Sequence, residues 1–80
     1  MISPQQCRAA RAWLDWSQQE LATRARVGLS TIKDFERGDR KPIPNNLDAI
    51  QRAIETEGMI LIEDGGMAVG IRIMPPALRR

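Results

Sequence analysis

Two short amphipathic segments separated by only three residues lie in the middle of this 80-residue sequence. The first begins at Ser17–Glu20, where a serine followed three residues later by a glutamate is typical of a helix N-terminus. The second begins near Leu29, places Ile32 and Phe35 three residues apart on one side, and is followed by Gly38, which suits the end of a helix. We therefore predict two short helices joined by a tight turn.

Helical patterns continue on both sides of this pair. Ser3–Gln6 predicts the start of an earlier helix that ends near Leu14, because serine caps helices and proline suits the first turn. After a loop that contains two prolines, Asn45 is predicted to cap a fourth helix, which ends at Gly58. The fold class predicted for residues 1–58 is therefore mostly α, with four helices. Trp13 and Trp16 are expected to pack in or near the core.

The sequence after Gly58 changes from helical periodicity to alternation. An apolar run at residues 59–62 is followed by the turn signal Asp64-Gly65-Gly66 and by a second alternating run. This pattern predicts a C-terminal β-hairpin over residues 59–74, followed by a flexible tail at residues 75–80. The apolar side chains expected on one face of the second strand are Met67, Val69, Ile71 and Ile73.

The predicted hairpin has more apolar surface than two isolated strands can stabilise in water. An open strand edge that carries Val69, Ile71 and Ile73 favours pairing with a second chain, so we expect a homodimer. The alternative is that the hairpin packs back on the fourth helix within one chain.

The composition leaves few parts for catalysis or metal binding. The sequence has no histidine, one cysteine and no glycine-rich phosphate loop, so we expect no enzyme activity, no cofactor and no metal. Cys7 is expected to be a small buried hydrophobic residue. The first 41 residues carry eight Lys/Arg against five Asp/Glu, a modest positive excess that suits phosphate binding.

No segment of the sequence resembles a signal peptide or a membrane span. Polar residues follow Met1-Ile2-Ser3-Pro4, and no apolar run approaches the roughly 18 residues that a membrane helix needs. A cytoplasmic location without a membrane partner is therefore expected.

Three short sequence elements at characteristic spacing resemble one known family. Residues Ser17–Ala22, Leu29–Ile32 and Phe35–Gly38 are similar to the Cro/C1-type (XRE family) helix-turn-helix proteins, and the resemblance covers roughly residues 5–57. It implies a lambda-repressor-like domain whose third helix, 29–37, reads the major groove of double-stranded DNA. It also implies a small prokaryotic or phage transcriptional regulator, with a repressor favoured.

The resemblance assigns roles to individual residues. Base contacts are implied for four positions of the third helix: Leu29, Ser30, Lys33 and Asp34. Phosphate contacts are implied for five positions: Gln18, Thr31, Arg37, Arg40 and Lys41. Arg11 and Glu36 match a pair that bridges the first and third helices, and a carboxylate near a helix C-terminus also needs a positive partner on physical grounds. Asp34 is unusual here, because it can accept a bond from a cytosine amino group or repel phosphate.

Two kinds of partner remain open at this point. A two-fold dimer would suit a palindromic operator, because each copy would read one half-site. The alternative function is an antitoxin-like or other protein-interaction module whose C-terminal hairpin binds a partner protein. Both functions can hold in one molecule, since antitoxins often repress their own genes.

Overall fold

The computed structural model describes residues 1–74, in which four helices precede an antiparallel hairpin. The elements are α1 (Pro4–Leu14), α2 (Gln18–Ala25), α3 (Leu29–Arg37), α4 (Pro44–Glu55), β1 (Met59–Asp64) and β2 (Met67–Ile73). The predicted fold class is confirmed. The tail predicted at 75–80 lies outside the described residues. Over residues 1–74, the helices are too short or too polar to cross a membrane.

The first two helices begin where capping chemistry predicts. The Ser3 hydroxyl accepts a hydrogen bond from the Gln6 backbone N–H, and the Gln6 side-chain oxygen accepts one from the Ser3 N–H. In the same way, the Ser17 hydroxyl accepts from the backbone N–H of Glu20. These bonds satisfy N–H groups that have no partner within the first helical turn.

The start of one helix differs from the prediction. The cap predicted at Asn45 is wrong: α4 starts at Pro44 and Ile43 holds the cap position without a side-chain bond, because proline is already fixed in the helical φ region. In the α2–α3 turn, Arg26 lies in the left-handed region with a φ of 58°, whereas Gly28 has a φ of −68°.

The apolar core lies between the four helices and one face of the hairpin. Its buried residues are Ile2, Cys7, Ala10, Leu21, Ala22, Ala25, Ile32, Phe35, Leu47, Ile50, Ile54 and Met59. The prediction that Trp13 packs in or near the core is wrong, since Trp13 is 67% exposed. Trp16 is half-buried, and the Arg24 guanidinium lies 4.4 Å from its ring centroid.

A β-bulge at Val69 divides the hairpin into two parts. Gly70 lies opposite Ile62 while Ala68 lies opposite Glu63, so Val69 has no direct partner on β1. The extra residue reverses the alternation along β2, and the prediction that Met67 shares a face with Ile71 and Ile73 is wrong. Ile71 and Ile73 pack against the core, whereas Met67 lies opposite Asp64 and is exposed.

The hairpin packs back on the helices of its own chain. β2 contacts α1, and β1 contacts α4. The Gln6 side chain of α1 donates from one amide nitrogen to the carbonyl oxygens of Ile62, at 3.2 Å, and Gly70, at 2.9 Å. A single buried side chain therefore ties α1 to both strands next to the bulge.

Candidate nucleic-acid interface

The third helix separates an apolar face from a polar face. Ile32 and Phe35 are buried in the core, while Ser30 and Lys33 are exposed and Asp34 is half-exposed. We call Ser30, Lys33 and Asp34 the reading face. Because the core fixes the apolar side of α3, the rotation of the helix and hence the direction of this face are set.

The loop after α3 lies beside the reading face. One open cleft is lined by residues from both elements, and five of the predicted site residues share it: Ser30, Thr31, Asp34, Arg40 and Lys41. Leu29, at the first position of α3, is half-buried and packs against the core. The fold therefore brings predicted base-contacting and phosphate-contacting side chains to one surface.

Arg37 has two acidic partners in the free protein. Its Nη2 lies 2.7 Å from Asp34 Oδ1, and its Nε lies 2.8 Å from Asp39 Oδ2. The first contact compensates the negative charge of the reading face, and the second was not predicted from sequence, although Asp39 follows Arg37 by only two residues. The cations of this surface without an ion pair in residues 1–74 are Lys33, Arg40 and Lys41.

Glu36 lies on the opposite side of α3 and is only 3% exposed. Its carboxylate accepts from Arg11 at 2.7 and 2.8 Å, from the Gln18 amide at 3.1 Å and from the Cys7 Sγ at 3.1 Å. We call these four residues the Glu36 network. It joins α1, α2 and α3, so it fixes the angle between the two helices of the helix-turn-helix unit.

Burial and hydrogen bonding shift the pKa values of Glu36 and Cys7. Burial alone would raise the pKa of the Glu36 carboxyl, but hydrogen bonds from Arg11, Cys7 and Gln18 outweigh it and hold that pKa below its usual value. Burial and the bond to Glu36 raise the pKa of the Cys7 thiol far above its usual range. Cys7 therefore stays a protonated thiol that donates to the carboxylate.

Two arginines of α1 also bond to backbone oxygens near the network. Arg8 donates to the backbone oxygen of Glu36, and Arg11 donates from Nη1 to the backbone oxygen of Trp16 at 2.9 Å. The role of Arg8 was not predicted from the sequence, because Arg8 differs from other exposed arginines only in lying one turn before Arg11. Gln18 has a second amide hydrogen beyond the one given to Glu36, which leaves a donor at the N-terminus of α2.

Comparison with known families places most of the helical region in one group. A family model described as helix-turn-helix matches residues 8–58, which include α2, its turn and α3. No curated protein matches the chain significantly. The matched region contains the reading face, Arg40 and Lys41 of the loop after α3, and all of the Glu36 network except Cys7. The chain thus belongs to the Cro/C1-type (XRE) helix-turn-helix family of DNA-binding transcription regulators.

Proposed function

We propose that this protein binds double-stranded DNA sequence-specifically, as a repressor that inserts α3 into the major groove. The observation that carries the proposal is the reading face beside Arg40 and Lys41, which have no ion pair within residues 1–74. The helix that carries this face is buried in the core on its other side. A helix fits the major groove, which is about 12 Å wide. In such complexes, residues early in this helix reach base edges.

The proposed contacts fall into two groups. Base contacts would determine which sequence is bound, and phosphate contacts would position the protein and add affinity for any sequence. Base contacts are proposed for Leu29, Ser30, Lys33 and Asp34. Phosphate contacts are proposed for Gln18, Thr31, Arg37, Arg40 and Lys41. Gln18 fits its role because it combines a remaining amide donor with the positive end of the α2 dipole. Arg37 fits its role only if phosphate competes with its two acidic partners.

We also propose that two copies bind a palindromic operator. A two-fold pair would present two α3 helices to half-sites about 34 Å apart. The surface expected to join the copies includes Val69, Ile71 and Ile73. Val69 is 58% exposed, whereas Ile71 and Ile73 are half-buried against their own core, so Val69 carries most of the exposed apolar surface of this set.

Replacing both Arg40 and Lys41 with alanine is expected to weaken binding to all DNA sequences alike. Each lost phosphate contact removes counterion release, so the slope of log affinity against log salt should flatten by about 2. The measurement is a fluorescence anisotropy titration of specific and unrelated duplexes between about 50 and 200 mM salt.

The matched control replaces Arg52 and Arg72 with alanine, which removes the same charge from α4 and the hairpin. An equal loss of affinity in this control would mean that net charge, rather than the loop after α3, determines binding. A double variant at Arg40 and Lys41 with an unchanged salt slope would contradict the proposed phosphate contacts.

Replacing Asp34 with asparagine is expected to change the preferred base at one operator position. Arg37 holds Asp34 Oδ1, so Oδ2 remains as an acceptor and suits the amino group of cytosine, while asparagine suits adenine. The preference for cytosine should fall by about 1–3 kcal/mol. Selection from a randomised duplex pool measures this, and identical preferences of the two proteins would contradict a base-reading role for Asp34.

An antitoxin-like role in binding a partner protein is the second candidate function. The exposure of Ile60, Ile62 and Met67 on the outer side of the hairpin favours it. A pull-down that requires residues 59–74 but tolerates alanine at Ser30 and Lys33 would support this role, and it is compatible with DNA binding.

A further inference from the structure

Arg37 connects the reading face to the loop after α3. Its Nη2 donates to Asp34 Oδ1 at 2.7 Å, and its Nε donates to Asp39 Oδ2 at 2.8 Å. We call these three side chains the Arg37 cluster. A guanidinium can bind one carboxylate or phosphate with two parallel hydrogen bonds, but here Nε and Nη2 bind two different carboxylates. This pair of donors is therefore unavailable to a DNA phosphate unless an acidic partner leaves.

The end of α3 determines where Asp39 lies. Gly38 adopts a φ of 77°, and its N–H bonds to the carbonyl oxygen of Phe35 at 3.0 Å. The N–H of Asp39 bonds to the carbonyl oxygen of Asp34 at 2.9 Å, which completes the hydrogen-bond pattern of a Schellman motif. The backbone thus holds Asp39 against the last turn of the helix, where its carboxylate and that of Asp34 reach the same guanidinium.

The Arg37 cluster is a negative site on a surface that is otherwise cationic. Its two carboxylates outnumber its one guanidinium, whereas Lys33, Arg40 and Lys41 make no ion pair within residues 1–74. An acidic group here opposes phosphate binding. The Arg37–Asp39 pair also adds little to folding stability, because its side chains are 62% and 58% exposed. The effect of Asp39 is therefore expected on DNA binding rather than on folding.

We propose that Asp39 is a specificity-determining residue, which keeps Arg37 from binding phosphate until Asp34 meets a hydrogen-bond donor on a base. The inference rests on the proposed function and deepens it, because it makes the phosphate contact of Arg37 depend on the base that Asp34 reads. Asp39 acts through Arg37 and itself contacts no DNA, so it is a positioning residue.

At an operator, the base contact releases Arg37. A cytosine amino group donates to Asp34 Oδ2 and compensates part of its negative charge, so Asp34 holds the guanidinium less strongly. Arg37 can then exchange Asp39 for a phosphate, a contact that is bidentate and charge-assisted. Water hydrates the exposed Asp39 carboxylate that is left behind. The base contact and the phosphate contact therefore form together.

At an unrelated sequence, Arg37 stays with its acidic partners. Asp34 can face a base acceptor there, such as guanine O6 or thymine O4, and then keeps its bond from Arg37. Asp39 keeps its bond from Nε, and the Arg37 cluster retains a net negative charge beside the phosphates. Non-specific binding is largely electrostatic, so the missing phosphate contact weakens it directly. The result is a larger difference in affinity between operator and unrelated DNA.

The test is the affinity of Asp39→Asn for DNA over a range of salt concentrations, measured by fluorescence anisotropy. Asparagine keeps the size of the side chain but removes the charge that holds Arg37. Affinity for an unrelated duplex should rise about three- to tenfold at about 50 mM salt, and the slope of log affinity against log salt should steepen by about 1. Affinity for an operator selected with the wild-type protein should rise less, so the preference for the operator falls.

Asp48→Asn is the matched control, because Asp48 also pairs with an arginine at 2.8 Å on an exposed surface, but on α4. It makes the same change in net charge and should alter affinity for both duplexes alike. A second control repeats Asp39→Asn in an Arg37→Ala background, where the additional gain on unrelated DNA should disappear. A gain that is equally large in Asp48→Asn, or that persists without Arg37, overturns the proposal.

The same titrations separate this inference from the proposed function. If the wild-type protein prefers its operator and Asp39→Asn changes neither this preference nor the salt slope on unrelated DNA, the proposed function stands and this inference is wrong. If the wild-type protein binds all duplexes equally while the gain in Asp39→Asn still requires Arg37, sequence-specific binding is refuted and the competition between Asp39 and phosphate stands. If neither protein binds any duplex at low salt, both are wrong.

Discussion

Replacing Arg11 with methionine is expected to lower the free energy of unfolding by about 3–5 kcal/mol, because it leaves a buried carboxylate without its cationic partner. Arg11 gives Glu36 two hydrogen bonds, at 2.7 and 2.8 Å, and Glu36 is almost inaccessible to water. Methionine keeps much of the volume of the arginine stem, so the loss comes from charge and hydrogen bonding. Urea denaturation followed by circular dichroism measures the change.

The loss should depend on pH in a defined direction. In the wild-type protein the pKa of Glu36 lies below its unfolded value, so this group stabilises the fold above the ordinary glutamate pKa of about 4.3, and the contribution is lost as pH falls through the folded value. Without Arg11, burial dominates and raises the folded pKa. The variant should therefore lose stability as pH rises, and the difference between the two proteins should shrink in acid.

The matched control is Arg52→Met on α4. Arg52 pairs with Asp48 at 2.8 Å, but both side chains are largely exposed, so its loss should cost less than about 1 kcal/mol. Equal destabilisation by the two changes would show that burial of Glu36 adds nothing. A loss at Arg11 that stays constant from neutral to acidic pH would contradict the assigned role of the carboxylate.

Local chemistry was sufficient to predict the elements that carry the reading face. The bounds of α3 follow from Ile32 and Phe35 on one side and from Gly38, which adopts a φ of 77° that few other residues tolerate. Asp15 likewise adopts the left-handed region, with φ of 59°, at the end of α1. These signals lie within a few residues of the feature they determine, so they can be read from sequence.

The features missed in the sequence depend on distant partners. The bulge at Val69 arises from the register between two strands, and the alternation of β2 contains no information about which residue on β1 lies opposite. Trp13 was expected inside because it is apolar, but the core already covers the Cys7 and Ala10 side of α1.

Gln6 has two roles, and only one of them can be predicted from the neighbouring residues in the sequence. Sequence predicts its capping bond, which the structure contains, but its amide nitrogen also donates to the carbonyl oxygens of Ile62 and Gly70, more than fifty residues away. The residue is 3% exposed. It is therefore both a helix cap and the polar link between the helices and the hairpin.

Replacing Gln6 with glutamate is expected to separate these two roles and to cost about 3 kcal/mol of unfolding free energy. Glutamate serves the capping box as well as glutamine does, so α1 should keep its start. Its carboxylate has no donor, however, and would face two carbonyl oxygens in a buried site. Hydrogen exchange should therefore quicken at the β1 and β2 amides more than at those of α2 and α3.

The neighbouring residue supplies the control, because Gln5→Glu makes the same chemical change at an exposed position of the same turn. It should leave stability nearly unchanged or raise it slightly, since an acidic group near a helix N-terminus is favourable. If both variants are equally stable, the two strand contacts of Gln6 contribute nothing. If Gln6→Glu instead slows exchange in the hairpin, the link between α1 and the strands must be made by other groups.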